Sequence, residues 1–243
     1  MSKKVIGLIP ARWGSVRFPG KSLAKISGKT MIERVYNRAI KAEILDELFV
    51  VTDDERIESE CKKKSLNCIL QKIDCHSGTD RIAQASKSLN ADIFVNIQGD
   101  EPLIEPDAIN LVAKCLIEND NCFISNACTK VLEPFKAIDS DVVKVVVDLK
   151  DNALFYSRSP IPYPKSSNYF FYQQLGLYAF KKDSLQTFLN LPPAPLELVE
   201  GVEMLRFLEN GHKVRMVKVE DSGFSVDSPK DISYIEQKLK RNP

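Results

Sequence analysis

The 243-residue sequence predicts a three-layer α/β/α fold with a mostly parallel sheet and an antiparallel extension. Three observations carry this. Short apolar runs alternate with helix-patterned stretches through the first half. Those runs are nearly continuous, as strands buried on both faces require. After residue 130 the texture shifts to β-branched and aromatic runs separated by turn signals, which suits longer, partly antiparallel strands.

The elements follow in order. "KKVIGLIPA" reads as a buried strand and "TMIERVYNRAIKA" as a helix with Ile32, Val35, Tyr36, Ala39 and Ile40 on one face. "ELFVVTDD" is a second strand, "DERIESECKKKS" a surface helix and "NCILQ" a third strand. "TDRIAQASKSL" is expected to be a helix capped by Thr79. "DIFVNIQGDEP" is a strand running into two acids, and "PDAINLVAKCLIEND" a helix with Pro106 in its first turn. Strands are expected in "DVVKVVVDLKDNALFYSRSPIPYP" and "NYFFYQQLGLYAF". "PLELVEGVEMLRFLENG" reads as one amphipathic helix ended by Gly211, "HKVRMVKVE" as a last strand, and "SVDSPKDISYIEQKLKR" as a turn and C-terminal helix. No linker interrupts the chain. We read residues 1–243 as a single domain, with a subdomain boundary near residue 130 between a 1–130 part and a 131–220 part.

A formal net charge of +1 gives no electrostatic case for a nucleic-acid or anionic-membrane partner. No apolar run approaches the ~20 residues that span a bilayer, and the N-terminus lacks a signal-peptide pattern. The expected location is cytoplasmic. The six cysteines form no C-x-x-C pair, and only His76 and His212 accompany them. They are expected to be reduced, buried thiols rather than a zinc site or a disulfide framework.

In "RWGSVRFPGKS", five residues separate Gly14 from Gly20-Lys21-Ser22, one more than a P-loop allows. Arg12, Arg17 and Lys21 instead place three cations in a glycine-containing loop after the first strand, suited to folding over a polyphosphate. No G-x-G-x-x-G follows that strand, which argues against a dinucleotide dehydrogenase. In "NIQGDEPLI", Asp100 and Glu101 end a buried strand, where acids usually bind a cation or cap a helix. Magnesium takes one or two carboxylates plus substrate phosphates, and Asp227 of "SVDSPKD" is the candidate second ligand. Alternatively, Asp227 and Ser228 cap the last helix, although Asp231 suits that cap better. In "HSGTDR", Ser77 and Thr79 can donate hydroxyl hydrogen bonds and Arg81 can reach a phosphate or ribose; alternatively the segment is a simple helix N-cap with an exposed arginine.

Taken in order, "LIPARWGSVRFPGKSLAKISGK", "VVTDDERI", "HSGTDR", "VNIQGDEPLI", "LFYSRSPIPY" and "VDSPKDI" resemble the motifs of the 3-deoxy-manno-octulosonate (Kdo) cytidylyltransferase family. The resemblance spans almost the whole chain, and the order of the motifs makes it specific. It implies a Rossmann-like sheet of the nucleotide-diphospho-sugar transferase type. It also implies transfer of CMP from CTP to a 3-deoxy-2-keto sugar acid, with Mg2+, in a homodimer whose product serves lipopolysaccharide or capsule synthesis. By the same resemblance Arg12, Ser15 and Lys21 would hold the triphosphate. Ser77, Arg81 and Gln98, with Pro10 and Ala11, would hold the cytidine. Asp100 and Asp227 would bind the metal and, with Lys21, form the catalytic group. Arg158, Gln174, Tyr178, Glu200 and Glu203 would face the sugar acid.

Two departures stand out. Gln174 occupies a place where the family usually has histidine, and Met204 a place where it has glutamine. If both face the sugar, they suit a modified acid such as an 8-amino-3,8-dideoxy analogue. A non-catalytic nucleotide-binding homologue is the alternative from a different class, but it should have lost a metal acid or a triphosphate cation.

Overall fold

Strand β1 (Val5–Ala11) is buried on both sides, and its side chains divide between two apolar cores. Val5, Ile9 and Ala11 join one; Ile6 and Leu8 join the other, as the period of two along a strand demands. A computed structural model describes residues 3–14, 18–166, 169–220 and 224–241. The chain continues through a small hairpin of β2 (Lys25–Ile26) and β3 (Lys29–Thr30), then α1 (Met31–Ala39), β4 (Glu47–Thr52), α2 (Glu55–Lys63) and β5 (Cys68–Leu70). It goes on through α3 (Gly78–Ser86), β6 (Ile93–Ile97), α4 (Pro106–Glu118), β7 (Ile124–Val131), α5 (Pro134–Ile138), β8 (Lys144–Val147) and β9 (Ala153–Ser157). The last part holds β10 (Phe171–Lys181), α6 (Lys182–Asn190), α7 (Pro195–Glu200), α8 (Met204–Glu209), β11 (Arg215–Lys218) and α9 (Pro229–Arg241).

The main sheet has the order β11-β7-β10-β6-β1-β4-β5. Strands β6, β1, β4 and β5 pair in parallel, as do β11 and β7. β10 runs antiparallel between β6 and β7, and the β8–β9 hairpin extends from it. Helices α1, α2 and α4 supply one core with Val35, Ile57 and Val112, while α3, α6 and α8 supply the other with Ile82, Phe188 and Phe207. The predicted three layers, mostly parallel sheet and antiparallel extension are all present.

Three local readings are corrected. Ser77, not Thr79, caps α3: its hydroxyl accepts from the Asp80 N–H at 3.1 Å, and the Asp80 carboxylate accepts from the Ser77 N–H at 3.1 Å. Thr79 is fully buried inside the first turn. The expected single helix over "PLELVEGVEMLRFLENG" is two, because Gly201 turns left-handed (φ +63°) after α7. The cysteines are free thiols, but Cys68, Cys75 and Cys115 are only half-buried.

A third core explains how the chain's two ends meet. Ile26 and Met31, from the hairpin and α1, pack against Val226 and Ile235, while Ser27 N–H donates to Glu236 Oε1 at 2.7 Å. Asp231 accepts from the backbone N–H groups of Asp227 (2.9 Å) and Ser228 (2.7 Å), fixing the turn into α9. That is the capping role expected of Asp231.

Two buried charge arrangements hold the cleft side together. Arg206, 3% exposed, binds Glu197 through Nε (2.7 Å) and Nη2 (2.6 Å), reaches Asp80 at 3.2 Å, and lies 3.8 Å over the Phe188 ring. One guanidinium thus ties α8 to α7, α3 and α6. Glu101 is equally buried, and burial beside Asp100 pushes its carboxyl up to about 8 despite a Gly176 N–H that favours the charged form.

Removing one partner from a buried ion network leaves the others uncompensated. Arg206→Ala is therefore expected to lower stability by about 3–5 kcal/mol, read from urea unfolding. For Glu101 the folded pKa lies above the ordinary value of 4.5. Between those values the folded chain holds a proton that the unfolded chain has released, so stability falls as pH rises through the window. In metal-free protein Glu101→Gln should flatten that fall; an unchanged pH profile would show that Glu101 does not cause it.

Candidate active site

In a parallel sheet the loops after the carboxyl ends of the strands form the ligand crevice. Here two clefts open at those ends. The first, about 470 Å3, is lined by Pro10, Ala11, Arg12 and Lys21 after β1, Ser77 and Arg81 at α3, and Gln98 and Asp100 after β6. The second, about 750 Å3, is lined by Asp100, Lys136, Arg158, Gln174, Tyr178 and Asp227. Gln98, Asp100, Gly201 and Glu203 line both.

The junction depends on glycine. A Cβ on Gly99 would sit 2.7 Å from the Pro10 carbonyl oxygen, and one on Gly176 would sit 2.6 Å from Gln98 Cγ. Side chains at those positions would push apart the ends of β1, β6 and β10. With the ends in contact, Lys21 Nζ donates to Asp100 Oδ2 at 2.5 Å. The Val226 N–H donates to the Asp100 carbonyl at 2.9 Å, which brings the residue before Asp227 against Asp100. Residues 100 and 227 thereby meet at one cleft.

On the first cleft's wall, Arg81 is buried and its Nη2 donates to Asp53 Oδ2 at 2.6 Å, while Nη1 has no partner among the described residues. A buried, unmatched guanidinium donor is costly unless something binds it. Glu203 accepts from the Thr79 hydroxyl, which in turn accepts from Asn96 Nδ2 at 3.1 Å. Burial, opposed by these hydroxyl bonds, raises the Glu203 pKa. In the second cleft Gln174 Nε2 donates to Tyr178 Oη at 2.7 Å and to the Leu175 carbonyl at 2.7 Å. Burial raises the Tyr178 pKa, keeping the phenol protonated.

Ser15 and Arg17 lie outside the described residues. Glu200, expected at the sugar, lines neither cleft. Its carboxylate accepts from Ser157 Oγ (2.6 Å) and the Arg158 N–H (2.8 Å), and its carbonyl accepts from Arg158 Nε (2.7 Å), so it aims Arg158. Met204 is fully buried among Leu205, Phe207 and Val202 and faces no cleft, which leaves Gln174 as the departure that does. Sequence reading missed Asp53, Thr79 as a buried support, and Lys136. Asp53 stood in "VVTDDERI", but nothing marked which acid would reach Arg81.

Among the described residues no three His, Cys, Asp or Glu side chains gather as a self-sufficient metal cage. Asp100 and Asp227 both line the second cleft, and two carboxylates suit an ion completed by substrate oxygens.

A profile of the cytidylyltransferase family matches residues 6–217. The 3-deoxy-manno-octulosonate cytidylyltransferase of Solibacter usitatus is 40% identical over 242 residues, covering 99% of this chain and 96% of its own. That of Zea mays is 40% identical over 243 residues, covering 98% of this chain and 81% of its own. A solved CMP:2-keto-3-deoxy-manno-octonic acid synthetase in complex with CTP superposes with a TM-score of 0.94 at 34% identity, covering 99% of this chain and 100% of that one. A 4-diphosphocytidyl-2C-methyl-D-erythritol synthase from Anaerococcus prevotii, 17% identical with a TM-score of 0.67, shares the fold. The chain belongs to the 3-deoxy-manno-octulosonate cytidylyltransferase family.

Proposed function

We propose that the protein couples CTP to 3-deoxy-manno-octulosonate, or a close 3-deoxy-2-keto sugar acid, giving the CMP-sugar and pyrophosphate. The observation that carries this reading is Asp100 standing on both clefts, with Lys21 on its carboxylate and the Asp227 turn bonded to its backbone. A transferase needs such a shared point, because the bond it makes joins the two ligands.

CTP would occupy the first cleft. Arg12 and Lys21 would meet its triphosphate, and Arg81 Nη1, Ser77 and Gln98 its nucleoside. The sugar acid would occupy the second cleft, its carboxylate facing Arg158 and Lys136. Arg158 is held for this by Glu200 and by its Nη1 bond to the Ser140 carbonyl at 2.7 Å. The sugar's anomeric hydroxyl oxygen bonds to the α-phosphorus as the bond from that phosphorus to the β-phosphate bridging oxygen breaks. The hydroxyl proton passes to solvent and pyrophosphate leaves. Both substrates are anions, so the chain's contribution is to align them and to place positive charge at the leaving group. Asp100 and Asp227 would hold Mg2+, which when bound neutralises charge on the triphosphate and acidifies the attacking hydroxyl.

Gln174 on the second cleft keeps an amino-substituted sugar acid as a second substrate reading. Pyrophosphate release measured with both sugars separates the two: faster turnover of the unsubstituted acid rejects the amino sugar. We also propose a cytoplasmic homodimer. Among the described residues no helix is long and apolar enough to cross a membrane. Leu132, Phe135, Leu154 and Tyr163, all more than 60% exposed, offer apolar side chains to a second copy.

Asp100→Asn and Asp227→Asn should each slow pyrophosphate release by on the order of 100-fold with unchanged circular dichroism; near-normal turnover in either would remove that residue from the site. Sedimentation should give a dimer at micromolar concentration, and Phe135→Asp should shift it to monomer; a monomeric parent protein contradicts the pairing.

A further inference from the structure

Arg12 and Lys21, the two described cations of the first loop, are each followed or preceded by a residue of one contact. Trp13 follows Arg12, and Gly20 precedes Lys21. The Gly20 N–H donates to the Trp13 carbonyl at 3.0 Å. Gly20 is left-handed (φ +72°), and a Cβ there would lie 2.9 Å from Trp13 Cη2, so the indole sits directly on the bare Cα. Arg56, on α2, places its guanidinium carbon 3.4 Å from the centroid of the Trp13 ring. Arg56 is itself held in a fork by Asp54, Nε to Oδ1 at 2.9 Å and Nη2 to Oδ2 at 2.6 Å, and Asp54 is the N-cap of α2. The α2 helix is fixed in turn by the fully buried Ile57 and Cys61.

This is a continuous strut from the core to the loop, with no part of it lining either cleft. An arginine stacked on an aromatic face and locked by a bidentate carboxylate is a stiff support. Fixing Trp13 on Gly20 fixes the spacing of the two neighbouring cations. Two cations held at the right spacing bind a polyphosphate better than the same cations on a wandering loop, because less ordering remains to be done on binding.

We infer that Trp13 and Arg56 are positioning residues that preorganise Arg12 and Lys21 for the triphosphate of the incoming nucleotide. The inference rests on the proposed placing of that triphosphate over Arg12 and Lys21. It predicts a defect in nucleotide binding, with the sugar site and the chemical step left alone.

Trp13 is the only tryptophan in the chain, so its fluorescence reports on the clasp directly. CTP titration should change the emission, and Arg56→Ala should shift the emission of the unliganded protein. Trp13→Ala should raise KM for CTP by about tenfold and Arg56→Ala by about threefold, with kcat and KM for the sugar acid within about twofold of the parent. Trp13→Phe should restore most of the affinity. Arg56→Ala should add nothing in a Trp13→Ala background, because both act through one contact. Unchanged KM for CTP in folded Trp13→Ala and Arg56→Ala proteins overturns the inference, as does a loss confined to kcat. Arg12→Ala and Lys21→Ala distinguish the two readings. If they raise KM for CTP and the strut variants do not, the clasp fails alone; if they too leave it unchanged, the triphosphate placing fails.

Discussion

The Cα of Gly99 lies against the carbonyl oxygen of Pro10, and everything at the site depends on that closeness. It brings the end of β6 to the end of β1 with no side chain between them. Asp100 then falls within reach of Lys21 from the first loop, and its carbonyl is free to receive the Val226 N–H from the far end of the chain. The α9 helix could not deliver Asp227 there by itself. It is pinned to the β2–β3 hairpin by Ile26, Val226 and Ile235, so the first and last segments of the polypeptide fold as one wall. A pair of acids separated by more than a hundred residues thus meets through packing, not through any local motif.

Collecting carboxyl groups in one place is unfavourable unless each has a reason to stay. Asp100 has Lys21, and Glu197 and Asp80 share Arg206. Among the described residues Glu101 and Glu203 have no cation in contact, and burial pushes them toward the neutral form. Burial thus works against negative charge at both carboxyls, which matters for a site proposed to admit two anions. Glu203, at the boundary of both clefts, has its pKa raised by burial while its carboxyl accepts from the Thr79 hydroxyl.

The layers were legible because apolar runs and helical stripes report burial directly. The motif positions were legible because strand ends were. What the sequence hid was direction. "FISNACTKV" looks too polar for a buried strand, yet β7 buries Ser125 and Asn126 by giving their side chains backbone carbonyls to bond. The stripe from Pro195 to Gly211 continues across Gly201, so periodicity ran on where the backbone turned. Ser77 and Thr79 are equally good caps on paper, and only the fold shows that Thr79 is needed inward, under Glu203. Glu200 and Met204 were placed at the sugar by family position. One supports Arg158 from behind and the other fills a core, because Glu200 ends α7 and Met204 begins α8 on the far side of the Gly201 turn.

The antiparallel insertion of β10 completes the argument for two clefts rather than one. Its pairing with β7 slips between Gln174 and Tyr178, and the carbonyls freed by that irregularity, Leu175 and Leu177, are taken by Asn126 Nδ2 at 2.8 and 3.0 Å. Bulges of this kind bend a strand and re-aim its side chains. Here Gly176 lies against Gln98 while Gln174 and Tyr178 line the second cleft. The period of two along a strand already puts Gln174, Gly176 and Tyr178 on one face, with Leu175 and Leu177 turned to the other core. The polar Asn126, inconspicuous in the sequence, is what makes the irregular strand tolerable in a buried sheet. Between the two clefts one amide thus serves two carbonyls, and the Leu175 carbonyl also accepts from Gln174 Nε2.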